Sequence, residues 1–256
     1  MTVSSSDIVV YGSQNMAESD TGTQGGGIDT AKRVVFTDLS ANDTVKIVST
    51  AGGDTGTVTI TGRGATGSIV SETLTLNGTS SVAGSTTFQR ILKIVCASHS
   101  GIITVQDVSS STNIVEIESS VTQIRRPFYN VSADTVDGSD RAFYEKVFVK
   151  NNNASSDLLS ASISEQSDGV DTAGSGSVEF DLEIAKNDAN TSSNRITAPA
   201  ASGLLNSGTF NSSSKNVPGT DLAATEAIGV WLKLSLPKGT AATNTTYTLR
   251  VSGSTT

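Results

Sequence analysis

The chain has 256 residues, of which 36% are hydrophobic and 16% charged, and its formal net charge is −8. One cysteine cannot form an intramolecular disulfide, one cysteine plus one histidine cannot supply the four ligands of structural zinc, and an acidic surface repels nucleic acid. Serine and threonine make up about 28% of the chain, well above the usual share for a globular protein. We therefore expect no cofactor and no direct nucleic-acid partner.

The first half contains short alternating runs bounded by turn-forming residues, the pattern typical of β-strands. Threonines alternate with Val58 and Ile60 in one of these runs. Another run leads directly into Asn77-Gly78, which predicts a type I′ hairpin turn. Glycines at 62, 64 and 67 are interpreted as a turn. Strands are predicted at residues 8–11, 33–37, 44–49, 57–61, 72–76, 88–96, 102–105, 114–117 and 121–124.

A domain boundary is predicted at about residue 126, because Pro127 removes a backbone donor and extends the residue before it. The fold class expected is all-β with little helix: two β-sandwich domains, residues 1–126 and 127–256, of immunoglobulin-like or jelly-roll-like architecture. Arg125 and Arg126 at this boundary are interpreted as a solvated junction, with a phosphate site as the alternative.

The second half has the most regular alternation, with strands predicted at residues 143–149, 159–163, 178–184, 230–236 and 247–251. In the third of these, apolar residues at 178, 180, 182 and 184 are expected to face inward, and Glu179, Asp181 and Glu183 outward. The same rule places Trp231 on an outer face beside Lys233. There it is either half-covered by a loop or the anchor of a subunit contact.

A long, weakly patterned stretch between residues 187 and 227 contains Pro199 and Pro218. Structureless segments of this length are uncommon in compact domains and are usually functional, so this stretch is the first candidate for a partner contact. The predicted interface residues are Trp231, Lys233, Pro199, Pro218, Arg125 and Arg126.

Catalytic and metal-binding motifs are poorly represented. The one histidine, His99, lies in a predicted solvated turn without a nucleophile elbow nearby. Cys96 follows an apolar run and is interpreted as a buried small hydrophobe. The spacing of Asp134, Asp137 and Asp140 resembles a calcium loop but lacks the EF-hand pattern, which favours ordinary turn carboxylates. We expect a protein without enzymatic activity.

The opening residues show no secretory signal, and no apolar run approaches the length of a membrane span. These observations predict synthesis in a cytoplasm and no membrane partner.

Several segments resemble virion structural proteins of tailed bacteriophages. They are residues 11–16, 26–29, 61–63, 72–79, 88–91 and 101–105 in the first half, and 144–151, 194–199 and 229–233 in the second. The resemblance covers most of the chain and includes no catalytic motif. It implies a β-sandwich protein located in the virion.

The favoured interpretation is a capsid decoration or cement protein that binds the major capsid protein lattice from outside, as a homo-oligomer and most plausibly a trimer. The first alternative is a tail tube, neck or other tail protein. Its inner surface would be lined by acidic residues such as Glu179, Asp181 and Glu183. The second alternative is a receptor- or glycan-binding module with a shallow patch around Trp231 or Tyr247.

Overall fold

The computed structural model describes residues 2–34, 36–129, 131, 139–169, 176–239 and 246–255. The fold is all-β, as the sequence predicts, with short 3-10 turns at Ser5–Asp7 and Ala201–Gly203. Contacts divide the chain into two compact units: Met1–Asp29 with Asn130–Thr256 (unit 1), and Thr30–Tyr129 (unit 2).

Residues 1–29 pack with the C-terminal half of the chain. Strand β1 (Ile8–Met16) pairs antiparallel with β11 (Arg141–Asn151), with Val10 opposite Val149. The predicted division instead assigns these residues to an N-terminal domain. The division into residues 1–126 and 127–256 stays a prediction about folding domains, and much of its proposed connection, residues 132–138, lies outside the described residues.

Unit 2 consists of two sheets around one core. One sheet has the order β10-β7-β4-β5 and the other β6-β3-β8-β9. Buried residues of both sheets, including Ile47, Ile60, Ile94 and Val105, belong to a single hydrophobic cluster. The strands are β3 (Val45–Ser49), β4 (Thr57–Arg63), β5 (Ile69–Thr75), β6 (Val82–Ala83), β7 (Arg90–Cys96), β8 (Ile103–Asp107), β9 (Asn113–Ile117) and β10 (Gln123–Arg125).

Cys96 is part of this cluster and is buried, as predicted. Burial raises the pKa of its thiol to about 12, because the low-dielectric interior disfavours the thiolate.

The two predicted turns of unit 2 have different outcomes. The glycine-rich turn after β4 is confirmed: it joins β4 to β5, and the amide of Gly64 donates to the carbonyl of Ser68 at 2.9 Å. The prediction of a hairpin at Asn77-Gly78 is wrong. These residues form a local turn closed between Asn77 and Ser80, whereas β5 pairs with β4 and β6 pairs with β3. Gly78 has a φ of +55°, and a Cβ there would clash with the carbonyl of Gly52, so the turn requires glycine.

Unit 1 also contains two sheets, with orders β13-β16-β11-β1-β2 and β15-β12-β17. Strand β14 pairs with Gln24 and Gly25 of β2. The later residues of β2, after Asp29, belong to unit 2. The remaining strands are β2 (Gln24–Arg33), β12 (Leu159–Asp168), β13 (Ser177–Leu182), β14 (Thr191–Ser192), β15 (Lys215–Asn216), β16 (Ala227–Leu236) and β17 (Tyr247–Ser254).

Both faces of β16 are buried along most of its length. Val230 and Leu232 lie on one face, as predicted, and Trp231 on the other is fully buried too. The backbone of Gly25 approaches the Trp231 ring so closely that a Cβ would be 2.7 Å from it. The first sheet of unit 1 is therefore covered on the face that the sequence analysis assigned to solvent.

Candidate interaction surface

The outer face of β4 and β5 carries two parallel rows of hydroxyl side chains. Thr57, Thr59 and Thr61 of β4 lie opposite Thr75, Thr73 and Ser71 of β5, respectively. The hydroxyls of Thr59 and Thr73 are 2.9 Å apart, and those of Thr61 and Ser71 are 3.2 Å apart. We call these six residues the hydroxyl face.

Strict alternation in both strands creates this surface. Val58, Ile60 and Leu74 point into the core of unit 2, so the residues between them point out. Val95 of β7 lies beside Thr59 and is 39% exposed, and Ile69 at the end of β5 is 47% exposed. The six residues of the face include no ionisable group. They are bordered by these apolar side chains and by Lys93 of β7 opposite Thr61, which suits contact with another protein surface.

Alternation predicts each of these strands from its own sequence, but it does not predict the face. The missing information was the register, which brings the threonines at 57, 59 and 61 opposite the residues at 75, 73 and 71. Register follows from strand pairing and turn length rather than from either strand alone.

The prediction that Trp231 lies on an outer face is wrong, because its side chain is fully buried. It lies opposite Lys146 of β11 and Asp181 of β13. Lys233 is partly exposed, as the prediction required, and its ammonium is 3.0 Å from the carboxylate of Glu179. The indole ring of Trp231 therefore cannot contact a partner protein unless unit 1 opens.

The stretch from 187 to 226 is held against the sheets of unit 1. The amide of Leu205 donates to the carbonyl of Leu182 at 2.8 Å, and Leu222 forms a bridge with Leu158. Pro199 is buried and Pro218 is half-buried. Much of this segment thus covers its own unit, and its role as a partner contact stays a prediction.

The interpretation of the Arg125–Arg126 pair as a solvated junction is wrong. Arg125 is 1% exposed, with its guanidinium 5.2 Å from the ring centroid of Tyr129. Arg126 donates to Asp38 at 2.6 Å and to the carbonyl of Ile91 at 2.7 Å. Burial, with the nearby Arg90 guanidinium, lowers the pKa of Arg126 to about 10. Both arginines lie in unit 2, whereas the other four predicted interface residues lie in unit 1.

A buried ion pair joins β11 to the residue after β13. Lys146 and Glu183 both have fully buried side chains, and Nζ of Lys146 is 2.5 Å from Oε1 of Glu183. The ammonium also donates to the carbonyls of Gly26, Asp188 and Asn190 at 2.8–3.3 Å. The prediction that Glu183 faces outward is therefore wrong, and the same holds for the buried Asp181.

This pair connects three distant parts of the sequence, and its two charges compensate each other inside the protein. Gly229 lies beside it in β16, and a Cβ there would clash with both Lys146 and Glu183. Burial raises the pKa of Glu183 to about 7, against the opposing effect of the Lys146 ammonium. Burial lowers the pKa of Lys146, again opposed by its partner.

The stability of the fold should respond to protonation of Glu183. The folded chain holds this proton more tightly than the unfolded chain, whose carboxyl has a pKa of 4.5. The contribution of Glu183 to the free energy of unfolding should therefore fall as pH rises from about 4.5 to about 7. Urea unfolding at several pH values should show the difference between the parent and Glu183→Gln shrinking across this window. A difference that stays constant or grows would contradict the assignment.

His99 is buried, contrary to the predicted solvated turn. Its Nδ1 lies 2.8 Å from the carbonyl oxygen of Gly101, and its Nε2 lies 3.0 Å from that of Val121. Both ring nitrogens thus contact backbone. Asp134 and Asp137 of the considered calcium loop lie outside the described residues, and among those described no group of three or more His, Cys, Asp or Glu is arranged to hold a metal ion.

A shallow groove of about 510 Å³ lies at one end of the first sheet of unit 1. Its lining includes Asp140, Arg141, Lys233 and Ser235. The amide of Lys238 donates to Asp140 at 2.9 Å, and Lys233 is paired with Glu179. The groove therefore presents ionic side chains that already have partners.

Within the described ranges, no helix has the length and hydropathy to cross a bilayer. Comparison with known proteins gave no match: no family model, no curated protein and no solved structure is similar to this chain.

Proposed function

We propose that the chain is a non-enzymatic structural protein of a tailed-bacteriophage virion, a decoration or cement protein on the outer surface of the major capsid protein lattice. The hydroxyl face is the surface that we assign to the shell contact. This arrangement of six hydroxyls on two paired strands is the observation that supports the proposal most strongly. The association with phages rests on the sequence resemblance.

The chemistry of the hydroxyl face suits a permanent contact made of many weak interactions. Burying a hydroxyl that regains a hydrogen bond costs far less than burying an unpaired ammonium or carboxylate. Thr59, Thr73, Thr61 and Ser71 are already ordered by cross-strand hydrogen bonds, so little side-chain entropy remains to be lost on docking. Repetition of one weak contact over a lattice then provides strong attachment.

Charge is distributed unevenly between the two units. Unit 1 contains eighteen acidic and nine basic residues, whereas unit 2 contains seven acidic and eight basic residues. The hydroxyl face thus belongs to a nearly neutral unit. A nearly neutral contact avoids repulsion from either sign of charge on the shell.

Two alternatives lose the observations that favoured them. The acidic surface expected of a tail tube protein relied on Glu179, Asp181 and Glu183, of which the last two are buried. The glycan-binding module relied on a patch around Trp231 or Tyr247. The first of these is fully buried and the second is half-buried. The decoration protein is therefore the function we retain.

The number of copies per particle tests this proposal. Quantitative mass spectrometry of purified virions should find the chain at parity with the major capsid protein, or at a simple fraction of it. A copy number matching a single tail ring would favour a tail protein, and absence from virions would overturn the proposal altogether.

A charge on the hydroxyl face should weaken shell binding. We expect Thr73→Lys to reduce affinity for undecorated capsids by at least about tenfold, because an ammonium without a partner would be buried in the contact. Co-sedimentation of purified protein with capsids measures this effect. Thr79→Lys provides the matched control, because Thr79 is an exposed threonine in a turn of the same unit, off the face. Equal losses in both variants, or none in Thr73→Lys, would contradict the assignment.

A further inference from the structure

Strand β17 is an open edge of the sheet β15-β12-β17 in unit 1. The edge strands β13 and β5 both contact nearby chain. Strand β13 is bridged at Phe180 by Asn211, and the carboxylate of Glu72 in β5 accepts from the amides of Ser85 and Thr86. For β17, no described residue bonds to the backbone on the side away from β12. Open edges of this kind are templates for pairing with another strand.

The edge lacks the features that usually prevent such pairing. Residues 246–255 contain no proline and no lysine, and Arg250 is their one charged side chain. Two irregularities in the β12–β17 ladder each insert the extra residue in β12, so β17 itself runs straight from Tyr247 to Ser252. A straight, nearly uncharged edge strand is favourable for extension of the sheet.

We propose that β17 pairs antiparallel with β17 of a second copy of this chain, across a two-fold axis. A two-fold axis perpendicular to the sheet reverses strand direction and keeps the same face of both sheets on one side, so the two strands it relates are antiparallel. The contact would join two three-stranded sheets into one of six strands. This inference rests on the geometry of the edge and is independent of the proposed virion role.

The residue pattern of β17 favours its own copy as the occupant. Tyr247, Leu249 and Val251 alternate with the exposed Thr248 and Arg250, and they are half-buried in the single chain. An antiparallel copy places apolar residues beside apolar residues on one face and polar beside polar on the other. The second copy would thereby bury Tyr247, Leu249 and Val251 further.

Apolar pairing and charge together select the register, because only an axis through Leu249 places all three half-buried residues of β17 opposite one another. With Leu249 on the axis, Leu249 faces its own copy, Tyr247 faces Val251, and Thr248 faces Arg250 of the second copy. Moving the axis to Arg250 would place two guanidiniums opposite each other, and like charges directly opposite destabilise a strand pair. The register centred on Leu249 is therefore the one we assign.

Cysteine crosslinking tests both the contact and its register. In Thr248→Cys/Arg250→Cys, each new thiol faces a thiol of the second copy, so mild oxidation should give a dimer on non-reducing gels. Thr248→Cys/Ser252→Cys is the matched control, since its thiols are opposed only if the axis passes through Arg250. Crosslinking of the control, with or without the first variant, would overturn the register, and crosslinking of neither would overturn the pairing. The native Cys96 is buried, so the parent chain should remain uncrosslinked.

Sedimentation equilibrium provides an independent measurement. The parent chain should sediment as a species of twice 26.2 kDa, which differs from the trimer predicted from sequence. Thr248→Lys places an ammonium opposite Arg250 and should raise the dimer dissociation constant by at least about tenfold. The same substitution at Thr79 should have no effect. A monomer at all concentrations, or an oligomer insensitive to Thr248→Lys, would contradict the proposal.

Discussion

Replacing Lys146 with methionine should lower the free energy of unfolding by about 3–5 kcal/mol at alkaline pH. The substitution keeps most of the side-chain volume but removes the ammonium, so the carboxylate of Glu183 remains in the interior without its cation. The carbonyls of Gly26, Asp188 and Asn190 also lose their donor. Urea unfolding monitored by tryptophan fluorescence measures the loss directly, since Trp231 lies next to the pair.

A lysine on the same strand provides the control. Lys150 of β11 is partly exposed and donates to the side chain of Asn152 at 2.9 Å. Lys150→Met should cost less than about 1 kcal/mol, as is typical of exposed polar contacts. The interpretation of a buried ion pair fails if the two variants are equally stable. It also fails if Lys146→Met loses as much stability at pH 4.5, where Glu183 is protonated, as at pH 8.

Trp231→Ala should destabilise the fold by about 3–5 kcal/mol, the range for deleting a large buried aromatic side chain. The indole is fully buried under the backbone around Gly25 and beside Lys146. Removing it would leave a cavity against the ion pair and lower the packing density of a covered sheet face. Chemical unfolding of the variant, followed by circular dichroism, gives the magnitude.

This substitution also separates two roles for the residue. A tryptophan that anchored a subunit contact, as the sequence suggested, would weaken association when replaced and leave the isolated chain stable. The structure predicts instead that the isolated chain, measured at a concentration too low for association, loses free energy of unfolding. Trp231→Phe should recover part of the stability, because a smaller aromatic ring fills part of the cavity. Full stability of Trp231→Ala would contradict the buried position.

Alternation allowed the strands to be predicted, but it does not reveal whether the polar face of a strand is exposed to solvent. In β13 and β16 the apolar face was assigned correctly at Phe180 and Leu232. The opposite face carries Asp181 and Trp231, which the sequence analysis assigned to solvent and the structure buries. Segments distant in the sequence, around Gly25 and Asn206, cover that face. No local pattern encodes such coverage.

The buried ion pair could not be predicted from single strands either. Lys146 and Glu183 each look like the polar member of an alternating strand. Gly229 gave the one local hint, since glycine within a strand often marks the close approach of another group. By contrast, the burial of Cys96 followed from the apolar run before it, because Cys96 lies on the same face of β7 as Ile94, in the core of unit 2. The alternating threonines of the hydroxyl face could be predicted from each strand, but the residues opposite them on the neighbouring strand could not.

The pairing of β1 with β11 has a consequence for synthesis on the ribosome. The first strand leaves the exit tunnel more than a hundred residues before its partner exists, and the whole of residues 30–129 is made in between. That intervening segment has its own core and can condense while β1 has only β2, its other neighbour in the sheet, available for pairing. During translation, the side of β1 that β11 later covers therefore stays exposed to chaperones and proteases until β11 is made.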